Sequence, residues 1–216
     1  MKTATTFVLA VNLKRLLLSV VLPVGLAALA ACDNGAAERA AEAERARAEA
    51  EAAEAQSRAE AAARLEIERL AALWTYHETP VADGRQLTAA INSVENVDTD
   101  GSGAHVVRLV FRDHPEWGRS SYLVLQAGDF DCGRRCTVNV AVDDDEPTAM
   151  DGRRPDTDEA IAMFINDAVA LWNLTRGATR ISVEFPVAAG GTRTASFDVG
   201  GLDASRMPGW NASEGD

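Results

Sequence analysis

Cys32 is the residue whose surroundings point most directly to chemistry. It follows Leu29-Ala30-Ala31 at the end of an apolar run, residues 16–29, and residues 1–15 contain three basic side chains and no acidic one. This is the pattern of a secretory signal: a basic N-terminal region, an apolar region of about 14 residues and small residues at the cleavage site. The run is shorter than the ~20 apolar residues that a membrane-spanning helix needs. The sequence therefore predicts an exported protein.

The tetrad Leu29-Ala30-Ala31-Cys32 resembles the lipobox of bacterial lipoproteins. The resemblance implies that Cys32 carries a thioether-linked diacylglycerol, that cleavage falls before it and that its new amine is acylated. Three acyl chains exceed the two signals that stable anchoring takes. Asp33 resembles the inner-membrane retention signal of enteric bacteria, which favours the inner over the outer membrane. The alternative is an ordinary cleaved signal followed by an unmodified cysteine.

Cys132 and Cys136 are the second group of residues whose type and spacing indicate a chemical role. An even pair in an exported protein predicts a disulfide. The two thiols flank Gly133-Arg134-Arg135, so we expect a hairpin loop whose register the disulfide locks. A redox dithiol, which prefers two intervening residues, and half of a zinc site are the alternatives. Arg134 and Arg135 are either a contact for a partner or a solvated loop tip.

Two acidic clusters could in principle hold a cation. The first, Asp98-x-Asp100-x-Ser102-Gly103, matches the start of a calcium loop, but its twelfth position is Leu109, where the loop needs a bidentate Glu. We therefore expect a polar turn. The second, residues 143–146, is a run of four acidic residues, and four adjacent side chains in an extended loop cannot all face one ion. We expect a solvated loop there.

No catalytic constellation is recognisable. His77, His105 and His114 lack the spacing of metal-binding histidines, and the sequence contains no nucleophile elbow, phosphate-binding loop or dinucleotide fingerprint. We expect no catalytic residue, metal or cofactor. A spatial pair of carboxylates for glycoside or muramyl chemistry is an alternative that the sequence leaves open.

The net charge of the chain argues against two kinds of partner. The chain has a net charge of −12 with 33 acidic residues, and three of its 21 basic residues precede Cys32. The chain from Cys32 onward is therefore more acidic still, which argues against nucleic-acid binding and against adhesion to anionic headgroups.

Residues 36–73 predict a long helix. They are almost entirely Ala, Glu and Arg, contain no Gly or Pro, and include favourably oriented pairs such as Glu54 and Arg58. Apolar residues larger than Ala begin only at Leu65, so no heptad seam precedes it. A solvated stalk and an Ala-rich coiled coil that joins copies of the chain are both open.

From Trp74 onward, short apolar runs alternate with turn residues, which predicts an antiparallel β-sandwich with one short helix. The expected helix is residues 166–175, closed by Gly177. We expect residues 121–127 to pair with 137–142, and 180–187 to pair with 193–199. The predicted strands are residues 74–79, 87–96, 105–112, 121–127, 137–142, 159–165, 180–187 and 193–199.

These patterns divide the chain into five parts. They are a signal peptide (1–31), a lipidated linker (32–35), the stalk (36–73), the β domain (74–202) and a flexible tail (203–216).

Within residues 74–202 one set of residues stands out by its order along the chain: Trp74, Ile91, Ser93, Leu109, Arg112, Cys132, Cys136, Phe164, Leu171, Leu174, Ala178, Ile181, Val183 and residues 196–202. This order of features resembles a domain of proteobacterial and prophage envelope lipoproteins, and is similar to the VasI family associated with type VI secretion. The resemblance implies an accessory or binding domain.

The sequence thus predicts a lipid-anchored periplasmic protein whose β domain is a non-enzymatic binding module. Its expected partner is another envelope protein or peptidoglycan. A cell-wall hydrolase and a prophage exclusion lipoprotein are the alternatives.

Overall fold

The computed structural model describes residues 34–155 and 161–211. The lipobox-like tetrad, Cys32 and Asp33 lie outside the described residues. The chain divides into two compact units, one ending at Ala52 and the other beginning at Ala53. In the first unit the described residues are helical.

The predicted long helix is confirmed as α1 (Asn34–Ala72). The helix begins earlier than predicted, because it includes Asn34 and Gly35, which are expected in the linker. Leu65 and Ile67 are each 66% exposed. None of the helices in the described ranges is long and apolar enough to cross a membrane.

The second unit is mainly antiparallel β, as predicted. Its nine-stranded sheet has the order β1-β2-β5-β6-β9-β8-β7-β10-β11, and β3 and β4 form a separate two-stranded sheet. The strands are β1 (Trp74–Val81), β2 (Gly84–Asn92), β3 (Val97–Asp98), β4 (Ala104–His105), β5 (Arg108–His114), β6 (Gly118–Val124), β7 (Cys136–Val142), β8 (Thr148–Arg153), β9 (Ala162–Ile165), β10 (Arg180–Pro186) and β11 (Thr192–Asp198).

The two edges of the large sheet approach each other. Trp74, at the start of β1, donates its indole N–H to the carbonyl oxygen of Val199, just after β11 (3.4 Å). The backbone N–H of Val94 likewise donates to the carbonyl oxygen of Ser196 (2.8 Å). Inward-facing residues from both halves of the sheet therefore pack into one core.

The predicted short helix is confirmed as α2 (Ala168–Gly177), which begins two residues later than expected because Asp167 caps it. The Asp167 carboxylate accepts the backbone N–H of Ala170 (2.9 Å), as an N-cap residue does. Trp172 of this helix is fully buried and packs edge to face on Phe111 of β5, with ring centroids 5.1 Å apart. Through this contact the helix packs against the buried face of the sheet.

The predicted flexible tail is residues 203–216, and its described part, residues 203–211, packs on the domain. Two 3-10 helices, Ala204–Arg206 and Pro208–Trp210, follow β11. Met207 and Trp210 are only 1% and 3% exposed, so they belong to the core. Two buried apolar residues in a polar context are too weak a signal to predict this packing.

One predicted strand pairing is wrong. Residues 121–127 and 137–142 do not pair with each other: β6 lies between β5 and β9, whereas β7 lies between β8 and β10. The prediction also omits β8. Met150 is the only large apolar residue of that strand. The C-terminal hairpin, β10 with β11, is confirmed.

Candidate functional site

Arg112 of β5 occupies the centre of a cluster of aromatic rings on the outer face of the sheet. The carbon of its guanidinium lies 5.4 Å from the ring centroid of Trp117, 5.6 Å from that of Tyr122 and 5.8 Å from that of Phe164. Its Nε donates to the hydroxyl oxygen of Ser120 (3.1 Å). Rings and hydroxyl together hold the guanidinium in one place while its terminal N–H groups still lack an anionic partner among the described residues.

The strand register brings these side chains together. Arg112 pairs with Ser120 across β5 and β6, and Tyr122 pairs with Phe164 across β6 and β9. Residues two apart on a strand point to the same face, so Ser120 and Tyr122 flank Arg112 on one side. The ring centroids of Tyr122 and Phe164 are 5.2 Å apart.

Trp117 is fixed although it is 63% exposed. Its ring stacks on that of His114, with centroids 3.9 Å apart and 9° between the ring planes. His114 is buried, and its Nδ1 accepts the backbone N–H groups of Glu116 (3.2 Å) and Trp117 (3.3 Å). This histidine therefore shapes the turn between β5 and β6 and presents the indole to solvent.

Arg153 of β8 extends the cluster at its far side. The carbon of its guanidinium lies 4.9 Å from the ring centroid of Phe164, its cross-strand neighbour. We call Arg112, Trp117, Tyr122, Phe164 and Arg153 the arginine–aromatic face.

A groove of about 360 Å³ adjoins this face and shares Tyr122 with it. Its floor is apolar, since Ala90 and Val110 are buried. At its rim the Nε of Arg108 donates to the side-chain oxygen of Asn92 (3.0 Å). The residues that line the groove are Thr75, His77, Thr88, Ala90, Asn92, Arg108, Val110, Tyr122 and Val124.

The charged side chains of this region are positive, whereas the net charge of the chain is negative. Neither the lining of the groove nor the arginine–aromatic face includes an Asp or Glu, although the chain has a net charge of −12. Burial raises the pKa of the Tyr122 phenol, and the positive charge of Arg112 partly opposes that rise. The phenol is therefore neutral at physiological pH, and Arg108, Arg112 and Arg153 set the charge. The arrangement can receive an anionic group beside an apolar one.

The predicted cysteine pair lies elsewhere in the domain. The sulfur atoms of Cys132 and Cys136 are 1.98 Å apart, the separation of a disulfide bond. Cys136 opens β7, and its sulfur lies 3.5 Å from that of Met163.

The loop between these cysteines does not reverse the chain, so the predicted hairpin is wrong. Phe130, before the loop, bridges to Val187 in the antiparallel sense, and Asn139, after it, pairs with Glu184 in the same sense. Both segments run antiparallel to the same stretch of chain, residues 184–187, so the chain keeps its direction across the loop. The disulfide therefore closes a loop between two segments that run in the same direction, and it does not fix the register of a hairpin.

Arg134 and Arg135 are exposed in this loop. The Nε of Arg135 lies 3.6 Å from a carboxylate oxygen of Asp151. Because Asp151 is two residues from Arg153 on β8, Arg135 borders the arginine–aromatic face. It is not one of the rings or cations at its centre.

The calcium-like segment is a turn, as expected. One carboxylate oxygen of Asp98 accepts the backbone N–H groups of Asp100 (3.2 Å) and Gly101 (2.6 Å), and Asp100 accepts that of Ser102 (2.9 Å). Hydrogen bonds from Ser102 lower the pKa of the Asp100 carboxyl. In the part of the chain that the structure describes, no three His, Cys, Asp or Glu residues are placed to hold a metal ion.

The acidic run at 143–146 is exposed, as expected, and its first residue also has a structural role. Asp143 has a positive φ of 48°. Its carboxylate accepts the backbone N–H groups of Thr179 (3.0 Å) and Arg180 (2.8 Å). This residue therefore links the end of β7 to the start of β10.

Sequence reasoning does not identify the arginine–aromatic face. It leaves out Trp117, Tyr122 and Arg153, and it includes Arg112 and Phe164 only among residues of a family resemblance. The signal that could have found part of the face is the alternation of Arg108, Val110 and Arg112 with apolar residues, which places two cations on the outer face of one strand.

Comparison of the chain with protein-family models, with characterised proteins and with solved structures finds no match.

Proposed function

We propose that this chain is a lipid-anchored protein on the periplasmic side of the cell envelope, whose β domain is a non-enzymatic module that binds another envelope component through the arginine–aromatic face and the adjoining groove. Its partner is an envelope protein or peptidoglycan. Asp33 favours placement at the inner membrane. The helix α1 serves as the spacer between anchor and domain.

The observation that carries the binding role is Arg112. A guanidinium on the surface of an acidic protein would ordinarily find a carboxylate, yet its described contacts are three aromatic rings and one hydroxyl. Cation–π contacts position it without using its terminal N–H donors. Trp, Tyr and Arg are also the residues most enriched at energetic centres of interfaces.

The exposed indole supports the same role. Trp117 is rigidly stacked and 63% exposed, and an exposed aromatic ring held by its neighbours loses little conformational entropy on binding. Exposed apolar surface bordered by polar groups is typical of an interaction site.

Site-specific crosslinking tests this function. A photo-reactive amino acid is placed at Trp117 and, in a matched control, at Val94, which is 50% exposed and lies outside the face. We expect a discrete covalent adduct in intact cells from position 117 and none from position 94. Equal or absent crosslinking at both positions would overturn the binding role of the face.

Metabolic labelling tests the anchor separately. A fatty-acid label should enter the wild-type chain and be lost in Cys32→Ser, which should move to the soluble periplasmic fraction. A wild-type chain that takes up no label would contradict the anchor while leaving the binding role open to the crosslinking test.

A further inference from the structure

Two arginines on one strand face define the spacing of a ligand. Arg108 and Arg112 both belong to β5 and lie four residues apart on its outer face. Among the described residues their polar contacts are neutral: Arg108 binds the side-chain oxygen of Asn92, and Arg112 that of Ser120. Each therefore retains donors for an anion.

We propose that the groove and the arginine–aromatic face bind an extended peptide segment with two acidic side chains four residues apart and an apolar side chain midway between them. This inference rests on the proposed binding role and specifies its ligand. The planar fork of a guanidinium binds a carboxylate through two parallel N–H donors, so each arginine suits one carboxylate.

The spacing argument comes from strand geometry. At about 3.3 Å per residue, the Cα atoms of residues four apart in an extended chain are about 13 Å apart. An extended peptide aligned with β5 therefore places its first and fifth side chains over the two arginines. Its third side chain then lies above Val110 and the ring of Tyr122, which line the groove.

The area of the surface favours a segment over a folded partner. The face and groove extend over β1, β2, β5, β6, β9 and β8, six neighbouring strands. At about 4.8 Å between strands the width is about 24 Å, and five residues of strand length give an area of about 400 Å². A stable interface between folded proteins buries about 800 Å² on each partner. An extended segment of about seven residues, aligned with β5, spans the full length of this surface along the strands.

Binding is tested with the full chain in detergent and a fluorescein-labelled peptide, Gly-Glu-Ser-Leu-Ser-Glu-Gly, by fluorescence anisotropy. We expect saturable binding that weakens about tenfold in Arg108→Gln and in Arg112→Gln, because each substitution removes the charge-assisted hydrogen bonds to one carboxylate; tenfold corresponds to about 1.4 kcal/mol. Arg112→Lys, which keeps the charge but loses the fork, should weaken binding as well.

Matched controls test the geometry. Arg176→Gln removes one exposed positive charge outside the face and should change affinity less than about twofold. The peptide Gly-Ser-Glu-Glu-Leu-Ser-Gly, with the same composition but adjacent glutamates, should bind about tenfold more weakly. Circular dichroism of each variant confirms that the fold is kept.

No saturable peptide binding up to about 1 mM, or binding unchanged by both Arg→Gln substitutions, would overturn the inference. Two further probes separate it from the proposed function. Arg112-dependent binding of purified peptidoglycan fragments, or of phosphatidylglycerol vesicles, in place of the peptide would overturn the peptide ligand while the binding role stands. The crosslinking experiment at Trp117 tests that role independently.

Discussion

The backbone of Gly201 lies directly against the backbone of Leu70. A Cβ atom at position 201 would lie 2.2 Å from the carbonyl carbon of Leu70 and 2.3 Å from the nitrogen of Ala71. Only glycine fits this contact, through which the segment after β11 packs on the last turn of α1. An ion pair accompanies it, because Arg69 lies 3.6 Å from a carboxylate oxygen of Asp198.

We therefore expect Gly201→Ala to destabilise the domain by about 1–3 kcal/mol, the range for overpacking a close contact. Urea unfolding followed by tryptophan fluorescence measures the loss. Gly200→Ala is the matched control, because its Cβ would lie 3.5 Å from a methyl carbon of Leu70, an ordinary contact. Equal unfolding midpoints for the two variants would contradict the proposed clash.

Gly152 makes room for the disulfide. A Cβ there would lie 3.0 Å from the sulfur of Cys136 and 3.3 Å from that of Met163. Gly152→Ala should lower stability by about 1–2 kcal/mol because those sulfur atoms must shift. Gly133→Ala, in the loop between the cysteines, meets no atom within 4 Å and should be near neutral. Thermal unfolding of both variants under oxidising conditions decides; a Gly152→Ala chain as stable as Gly133→Ala would show that the site has spare volume.

Asp143 combines a strained backbone with two hydrogen bonds. Asp143→Ala should destabilise the domain by about 1–3 kcal/mol, because the backbone N–H groups of Thr179 and Arg180 lose their acceptor and alanine is less tolerant of positive φ. Urea unfolding measures the loss. Asp143→Asn keeps an acceptor oxygen and tolerates the same backbone, so it should retain most of the stability.

Asp144→Ala, at an exposed neighbour, is the control for this prediction. It should leave the unfolding midpoint nearly unchanged. Equal losses in Asp143→Asn and Asp143→Ala would point to the carboxylate charge instead of the hydrogen bonds.

Both tyrosines of the chain should titrate above the usual pKa of about 10. Burial raises the pKa of Tyr76 and of Tyr122. Because the folded state holds these protons more tightly than the unfolded state, their stabilising effect is complete below pH ~10 and is lost as pH rises through the folded-state pKa. Tyrosinate absorbance against pH measures this, and Tyr76→Phe and Tyr122→Phe separate the two. Ionisation of either phenol below pH ~10 would contradict the burial effect.

Local patterns predict most of the fold. The hairpin of β10 and β11 is expected at nearly its observed bounds because alternating apolar residues flank Ala188, Ala189, Gly190 and Gly191, and the partners are adjacent in the chain. The helix α1 follows from composition alone. Pairing between β6 and β9, or between β7 and β10, joins segments about 40 residues apart, and nothing in either segment specifies the other.

The candidate site is harder to predict for the same reason. Its cations and rings come from β5, the following turn, β6, β9 and β8, and only the strand register brings Arg112, Tyr122 and Phe164 together. Each of these residues by itself is of a type that is common in strands, so none of them indicates a site. The cysteine pair is readable in the sequence because its two members are four residues apart, but the direction of the chain through its loop is not.

The junction between α1 and β1 has a mechanical consequence. Helix α1 ends at Ala72 and β1 begins at Trp74, which leaves Leu73 as the sole connecting residue. A single connecting residue cannot extend appreciably, so it transmits force directly from the helix to the strand. Tension applied along the last turns of the helix is borne by the contact of Leu70 with Gly201 and by the β1–β2 ladder, and β1 supplies Thr75 and His77 to the wall of the groove. Pulling on the helix therefore strains the same strand that shapes the groove.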